Sequence, residues 1–269
     1  MADAKADPEV APESGLEKEN RVLERRLRRM EANVRQLEEF QDSNATLLSR
    51  LVRDLEEERA RSRQLLLNVL PERIVQRLEA GESRIADRYD SVTVLFSDFV
   101  DFTRIAAELE PLLLIDELNA LFSAFDEVCD RNGVEKIKTI GDAYLVVGGL
   151  SGTGDATRAA AETALGMCAC VARAKGVRAD WRVRIGIHTG SLVAGVVGTS
   201  RFAYDIWGDT VNMASRLEAS SRPGRIQVST EVARELEPDY VLERRGIVAI
   251  KGKGPAETWF LEGRRASAG

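Results

Sequence analysis

Two aspartates are the first residues whose surroundings suggest chemistry. Asp98 closes the apolar run VTVLFSD, and Asp142 occupies the tight turn of IKTIGDAY. Singly, an Asp after a strand reads as a helix cap and an Asp after Gly as a turn residue. Together they read differently: if the Asp98 strand pairs beside the hairpin, both carboxylates can share one sheet edge. Hard oxygen ligands so arranged suit Mg²⁺ or Mn²⁺ acting on phosphate oxygens. In GDTVNMASRLE, Asn212 and Arg216 are four residues apart and so stack on one helical face. An amide suits a ribose or phosphate oxygen there, and a guanidinium suits charge developing on phosphorus. An ordinary polar helix face has the same appearance. Lys251 and Lys253 sit in IKGKGP, a loop fit for polyphosphate or simply a solvated hairpin tip.

Other chemistries are disfavoured by what the chain lacks. It has one histidine, His188, which removes multi-His zinc sites and makes a Ser-His-Asp hydrolase a poor fit. His188 ends RIGIHTG and reads as structural. There is no GxxxxGK[ST] loop and no HRD or DFG element. Gly148, Gly149, Gly152 and Gly154 do not match a dinucleotide fingerprint. Cys168 and Cys170, two apart on a helix, face different ways. With Cys129 they make three cysteines, which suggests reduced thiols and a cytoplasmic setting. The polar start MADAKADPEVAPES is unlike a signal peptide. With 38 basic and 44 acidic residues the net charge is −6, which argues against nucleic acid as a partner. No apolar run reaches the ~18–20 residues of a membrane span.

The 269 residues divide into zones by pattern. Residues 1–15 read as a disordered tail. Residues 16–70 carry heptads, with Leu16, Leu23, Met30, Leu37, Leu51 and Leu65 at d and Leu27, Val34, Leu48, Leu55 and Val69 at a. That narrow seam predicts a coiled coil, with a single amphipathic helix lying on its own domain as the alternative. Asn20, Gln41, Asn44, Glu58 and Ser62 interrupt it. In a parallel dimer Arg26 would face Glu31 and Asp54 would face Arg59, while Glu19 against Glu24 is unfavourable, so charge leans towards parallel. Pro71 stops the helix. A linker, 71–87, holds a short helix, Arg73–Ala80, closed by Gly81. Beyond it, strands are expected at Ser91–Ser97, Val134–Ile140, Ala143–Val147, Arg225–Val228, Tyr240–Ile250 and Glu257–Leu261. Arg182–His188 and Leu192–Val197 read as a hairpin turning at Gly190. Helices are expected around Arg104–Glu108, Leu112–Arg131, Asp155–Lys175, Asp209–Glu218 and Thr230–Glu237. This mixture predicts an α+β domain with a mainly antiparallel sheet over 88–262, followed by a tail, 263–269.

Four segments, FSDFVDFT, VEKIKTIGDAYLVVGG, RIGIHTG and YDIWGDTVNMASRLE, resemble the signatures of the class III nucleotidyl cyclases in order and approximate spacing. The resemblance covers about residues 88–262 and implies a ferredoxin-like catalytic domain. It implies that Asp98, Asp142 and the Phe99 carbonyl hold two Mg²⁺ (or Mn²⁺) ions. Lys138 and Asp205 match the pair that reads adenine; guanine-specific relatives carry Glu and Cys there. Asn212 matches the residue that orients the ribose, Arg216 the one that stabilises the transition state, and Arg184 and Lys251 match triphosphate contacts. The implied reaction converts ATP to 3′,5′-cyclic AMP and pyrophosphate, at sites shared across a parallel homodimer. The alternatives are a guanylyl cyclase, or a silent cyclase-like interaction module, which should have lost a ligand. Asp101 departs from the family by standing where a small residue is common. No sensor domain is recognisable before the coil, so any upstream sensor or regulator is undefined.

Overall fold

The structure, a computed structural model, describes residues 15–152, 154–174, 181–198 and 202–266. The expected N-terminal tail lies outside the described residues except for Gly15, as do residues 267–269 of the expected C-terminal tail. Two compact units divide between Val75 and Gln76.

In the first unit, helix α1 runs unbroken over Gly15–Leu67, 53 residues. Its heptad seam stays open to solvent: Leu23, Leu27, Met30, Val34, Leu37 and Leu55 are each more than half exposed. After Leu67 the chain turns, with Leu70 N–H donating to the Leu66 carbonyl at 2.8 Å. Pro71 then accepts from Ile74 and Val75 at the start of α2, Glu72–Glu79, where its missing N–H costs nothing.

The second unit is an α+β sandwich. In chain order come β1 (Ala86–Phe99), α3 (Phe102–Glu108), α4 (Pro111–Asn132), β2 (Glu135–Ile140), β3 (Ala143–Gly148) and α5 (Ala156–Ala174). Then follow β4 (Val183–Val197), β5 (Ala203–Trp207), α6 (Asp209–Ser220), β6 (Ile226–Ser229), α7 (Thr230–Leu236), β7 (Tyr240–Ile250) and β8 (Gly254–Arg264). The strands form one sheet ordered β2-β3-β1-β4-β6-β8-β7, with β5 paired to β4. Among the described residues the pairing is antiparallel throughout except between β4 and β6.

One expected element is corrected. Residues 183–197 are not a hairpin turning at Gly190 but one continuous strand, paired with β1 on both sides of Gly190. Gly190 is needed for space, since a Cβ there would stand 2.6 Å from Thr210 Oγ1. The true hairpin partner is β5, which was not anticipated from the sequence.

The core gathers on one sheet face. Leu95, Tyr144, Val146, Ile185, Ile187 and Val228 meet Phe125, Ala160, Met167 and Val232 from α4, α5 and α7. Phe99 lies in a ring cluster here, 5.0 Å from Trp181 and 6.2 Å from Phe125. Its burial anchors the strand end that carries Asp98. On β4, Gly186 alternates with Ile185 and Ile187. A Cβ at Gly186 would collide with Glu218 N and the Ala214 carbonyl, so the α6 backbone lies directly on β4 there. The close approach of this helix to the strand needs a residue without a side chain.

Candidate active site

Strand pairing brings the two aspartates together. Ser97 of β1 stands opposite Tyr144 of β3, so Asp98 comes level with the β2–β3 turn that carries Asp142. Gly141, at φ 64°, makes the sharp corner that a β-carbon would strain. Asp98 and Asp142 are close enough to affect each other's charge. The Asp142 carboxyl is pushed up to about 6, first by burial and then by the neighbouring carboxylate of Asp98. On the other flank of β1, Arg184 of β4 is in register with Asp98, and its Nη2 donates to Asp98 Oδ2 at 2.9 Å. The Phe99 side chain is buried in the ring cluster behind this corner. Two neighbouring carboxylates, only one of which has a guanidinium partner among the described residues, offer oxygen donors at this corner. That set fits Mg²⁺ or Mn²⁺ and suits softer metals poorly. No cluster of three or more His, Cys, Asp and Glu is present among the described residues, so a wholly side-chain cage is not on offer.

A second group forms on β2, β5 and α6. Lys138 Nζ lies 2.5 Å from Asp205 Oδ2, although 67 residues separate them in sequence. On α6, the face with Thr210, Ala214, Leu217 and Glu218 is buried. Asn212 and Arg216 project from the opposite face, Asn212 exposed and Arg216 half-buried. The Arg216 guanidinium lies beneath the β7–β8 turn, where a Cβ at Gly252 would come 3.5 Å from its Nη2. That turn carries the exposed Lys251, and its Lys253 pairs with Asp209 at the start of α6. Asn212 and Arg216 therefore point away from Glu218, which faces Arg184. Within one chain, α6 turns its arginine away from the corner that holds the aspartates.

Asp101 adopts a left-handed conformation, φ 57° and ψ 27°, the one non-glycine residue with positive φ among the described residues. That explains why a small residue suits the position. Its side chain does not cap α3; it faces Arg182, with the closest atoms 3.7 Å apart. His188 Nδ1 lies 2.9 Å from Ser229 Oγ. The sequence reading missed Glu218. Its helical phase with Thr210, Ala214 and Leu217, a lone acid on the buried stripe of α6, was the available signal.

Comparison with known proteins decides the family. Residues 85–263 match the family described as the adenylate and guanylate cyclase catalytic domain. This chain belongs to that family. An adenylate cyclase of Mycobacterium tuberculosis is 47% identical over 217 residues, 80% of this chain and 49% of that protein. Retinal guanylyl cyclase 2 of Rattus norvegicus is 37% identical over 244 residues, 88% of this chain and 22% of that protein. The crystal structure of the guanylate cyclase domain of RhGC from Catenaria anguillulae, in complex with GTP, superposes with a TM-score of 0.64 at 34% identity. It covers 66% of this chain and 100% of its own. The chain thus spans about half, or less, of the curated relatives it matches. Its catalytic unit is a nucleotidyl cyclase domain. Among the described residues no helix is long and apolar enough to cross a membrane.

Proposed function

We propose that the chain is an adenylyl cyclase, converting ATP to 3′,5′-cyclic AMP and pyrophosphate at two sites shared across a homodimer. Relatives named for adenylate and for guanylyl cyclases both match, so family membership leaves the base open. The observation that carries the adenine reading is the Lys138–Asp205 pair. A lysine donor suits a ring nitrogen of adenine, and an aspartate acceptor suits its exocyclic amine. Guanine presents the reverse pattern. In the nucleotide-free chain the two groups satisfy each other, and a purine arriving between them exchanges one bond for two.

The remaining roles follow from charge and placement. Asp98, Asp142 and the Phe99 carbonyl would hold two Mg²⁺ or Mn²⁺ ions, which when bound lower the pKa of the ribose hydroxyl and screen the triphosphate. Asn212 orients the ribose so that its 3′-oxygen lies in line with the α-phosphorus. The O3′–P bond forms as the bond to pyrophosphate breaks, and the hydroxyl proton passes to solvent water. Arg216 meets the charge that grows on the phosphorus, while Arg184 and Lys251 hold the departing phosphates. The chain does no covalent work; it positions and stabilises.

The outward face of α6 supports sharing between subunits, because Asn212 and Arg216 need a partner's aspartates to act on. The exposed seam of residues 16–70 supports a parallel coil that keeps two 88–262 domains together, across the 71–87 linker. Product analysis with ATP or GTP and Mn²⁺ tests the proposal. Cyclic AMP from ATP is the expected product; cyclic GMP from GTP in its place would favour the guanylyl reading, and no turnover with either nucleotide the silent module.

A further inference from the structure

Glu218 has no role in the reaction as described, yet it is a carboxylate only 7% exposed on the face of α6 pressed against β4. Burying a carboxylate is costly without a cationic partner. Its neighbour is Arg184, whose Nε lies 3.2 Å from Glu218 Oε1. The contact is off the line of a hydrogen bond, and both atoms otherwise lack a partner. Arg184 meanwhile gives its well-formed bond, at 2.9 Å, to Asp98. One guanidinium thus bridges a candidate metal ligand and a buried acid with no role in binding metal. Burial, then the charge of Asp98, raises the Glu218 carboxyl to about 7, and Arg184 opposes the rise. The geometry is rigid on the Glu218 side, because Gly186 lets the α6 backbone sit directly on β4.

We propose that Glu218 is a positioning residue that retains Arg184 through Nε when a divalent cation takes Asp98, freeing the guanidinium's outer nitrogens for a phosphate oxygen. This rests on the assignment of Asp98 to metal and Arg184 to the triphosphate. In the metal-free chain Arg184 is the internal counter-ion of Asp98, and a cation must displace it. With Glu218 ionised beside it, the displaced guanidinium keeps a charged partner one side-chain width away. Without Glu218, Arg184 has only Asp98 and competes with the cation for it.

The test is Mn²⁺ binding to the full chain, without nucleotide, read by electron paramagnetic resonance of the free ion. Glu218→Gln keeps the size and loses the charge, so it should weaken Mn²⁺ binding about tenfold, the scale of one charge-assisted bond changing partner. Adding Arg184→Ala to Glu218→Gln should restore affinity to at least that of the parent, because the competitor is gone. A merely structural Glu218 gives no such rescue. In turnover, Glu218→Gln should raise the nucleotide KM more than it lowers kcat. Unchanged Mn²⁺ affinity in Glu218→Gln, or a double variant as weak as the single, overturns the proposal. Should Glu218→Gln fail to fold by circular dichroism, Arg184→Ala alone must tighten Mn²⁺, and no tightening overturns it equally. Asp98→Ala separates the two levels: lost Mn²⁺ binding supports the site assignment, whereas binding equal to the parent refutes that assignment and this inference with it.

Discussion

The ammonium of Lys138 rests 2.5 Å from the carboxylate of Asp205, each half of the pair coming from a different edge of the sheet. Lys138 belongs to β2 and Asp205 to β5, strands that share no ladder. On the proposed reading, this part-buried donor and acceptor meet a base whose edge presents acceptor beside donor. Exchanging Lys138→Glu together with Asp205→Cys should cut the preference for ATP over GTP by about 100-fold, since sites built on hydrogen bonds reject the mismatched pattern strongly. The measurement is kcat/KM for both nucleotides in parallel. Selectivity that stays with ATP would remove these residues from base recognition.

Gly186 provides a test of the scaffold. A β-carbon there meets two backbone atoms of α6, Glu218 N and the Ala214 carbonyl, and neither can rotate away. Gly186→Ala must therefore lift the helix that carries Asn212, Arg216 and Glu218. Overpacking of this kind costs about 3 kcal/mol. The thermal midpoint should fall by about 5–10 °C, with activity lost below that midpoint as well. A variant as stable and as active as the parent would show that α6 is not seated by this contact.

How much of this was legible in the sequence depends on how local each signal is. Asp98 and Asp142 could be read because one closes an apolar run and the other sits in a tight turn, and the pairing of β1 with β3 did bring Asp98 level with that turn. The helices α4 and α5 carry strong local patterns and lie where expected within a few residues. The continuity of β4 was not legible: Gly190 looks like a turn, and only the approach of Thr210 from α6 explains a glycine in an extended strand. Strand β5 is five residues long and is defined by its partner, β4, rather than by its own composition. Glu218 follows Arg216 by two residues and shares a helical phase with Ala214 and Leu217, but what it faces is seen only once helix α6 is placed on β4. Its burial against Arg184 comes from a contact between distant segments.

The single histidine and two raised carboxyls, Asp142 at about 6 and Glu218 at about 7, pull stability in opposite directions as pH falls. Burial holds the His188 imidazole below its ordinary value of 6.5, with Glu231 and Asp209 pulling the other way and Lys253 adding to the depression. Above pH 6.5 both folded and unfolded chains carry it neutral, and it takes nothing from stability. As pH falls below 6.5 the unfolded chain binds the proton first, so stability drops across that window. The Asp142 and Glu218 contributions are common to parent and His188→Gln, so the difference between the two profiles isolates the histidine: the parent should lose stability relative to the variant as pH falls through 6.5. Denaturant unfolding at several pH values checks this, and proton NMR follows the lone imidazole directly. A titration at or above 6.5 in the folded chain would contradict the assigned burial.

The long helix α1 should matter most when the protein is dilute. Leu23, Leu27, Met30 and Val34 present more than half of their surface to solvent in the single chain, an apolar stripe that self-association would cover. Deleting residues 1–70 should leave specific activity dependent on protein concentration, falling as the solution is diluted, while the full chain keeps a flat profile. Sedimentation on both proteins would show whether lost activity tracks lost dimer. Full activity of the truncated chain at nanomolar concentration would assign the helix another purpose.

The opposed faces of α6 set up the last experiment. Arg216 points outward from the helix, and Glu218, two residues on, points inward to Arg184 and through it to Asp98. If each site takes its acids from one subunit and its arginine from the other, Asp98→Ala and Arg216→Ala chains are each inactive alone, because every site in either homodimer lacks one group. Mixed and allowed to exchange, half of the dimers are heterodimers. Each of these holds one site with both defects and one with none. About a quarter of the parent activity should then return, as follows from random pairing about a two-fold axis. A mixture in which heterodimers are verified by mass and activity stays absent would place the acids and the arginine of each site on the same chain, and the outward turn of Arg216 would need a different explanation.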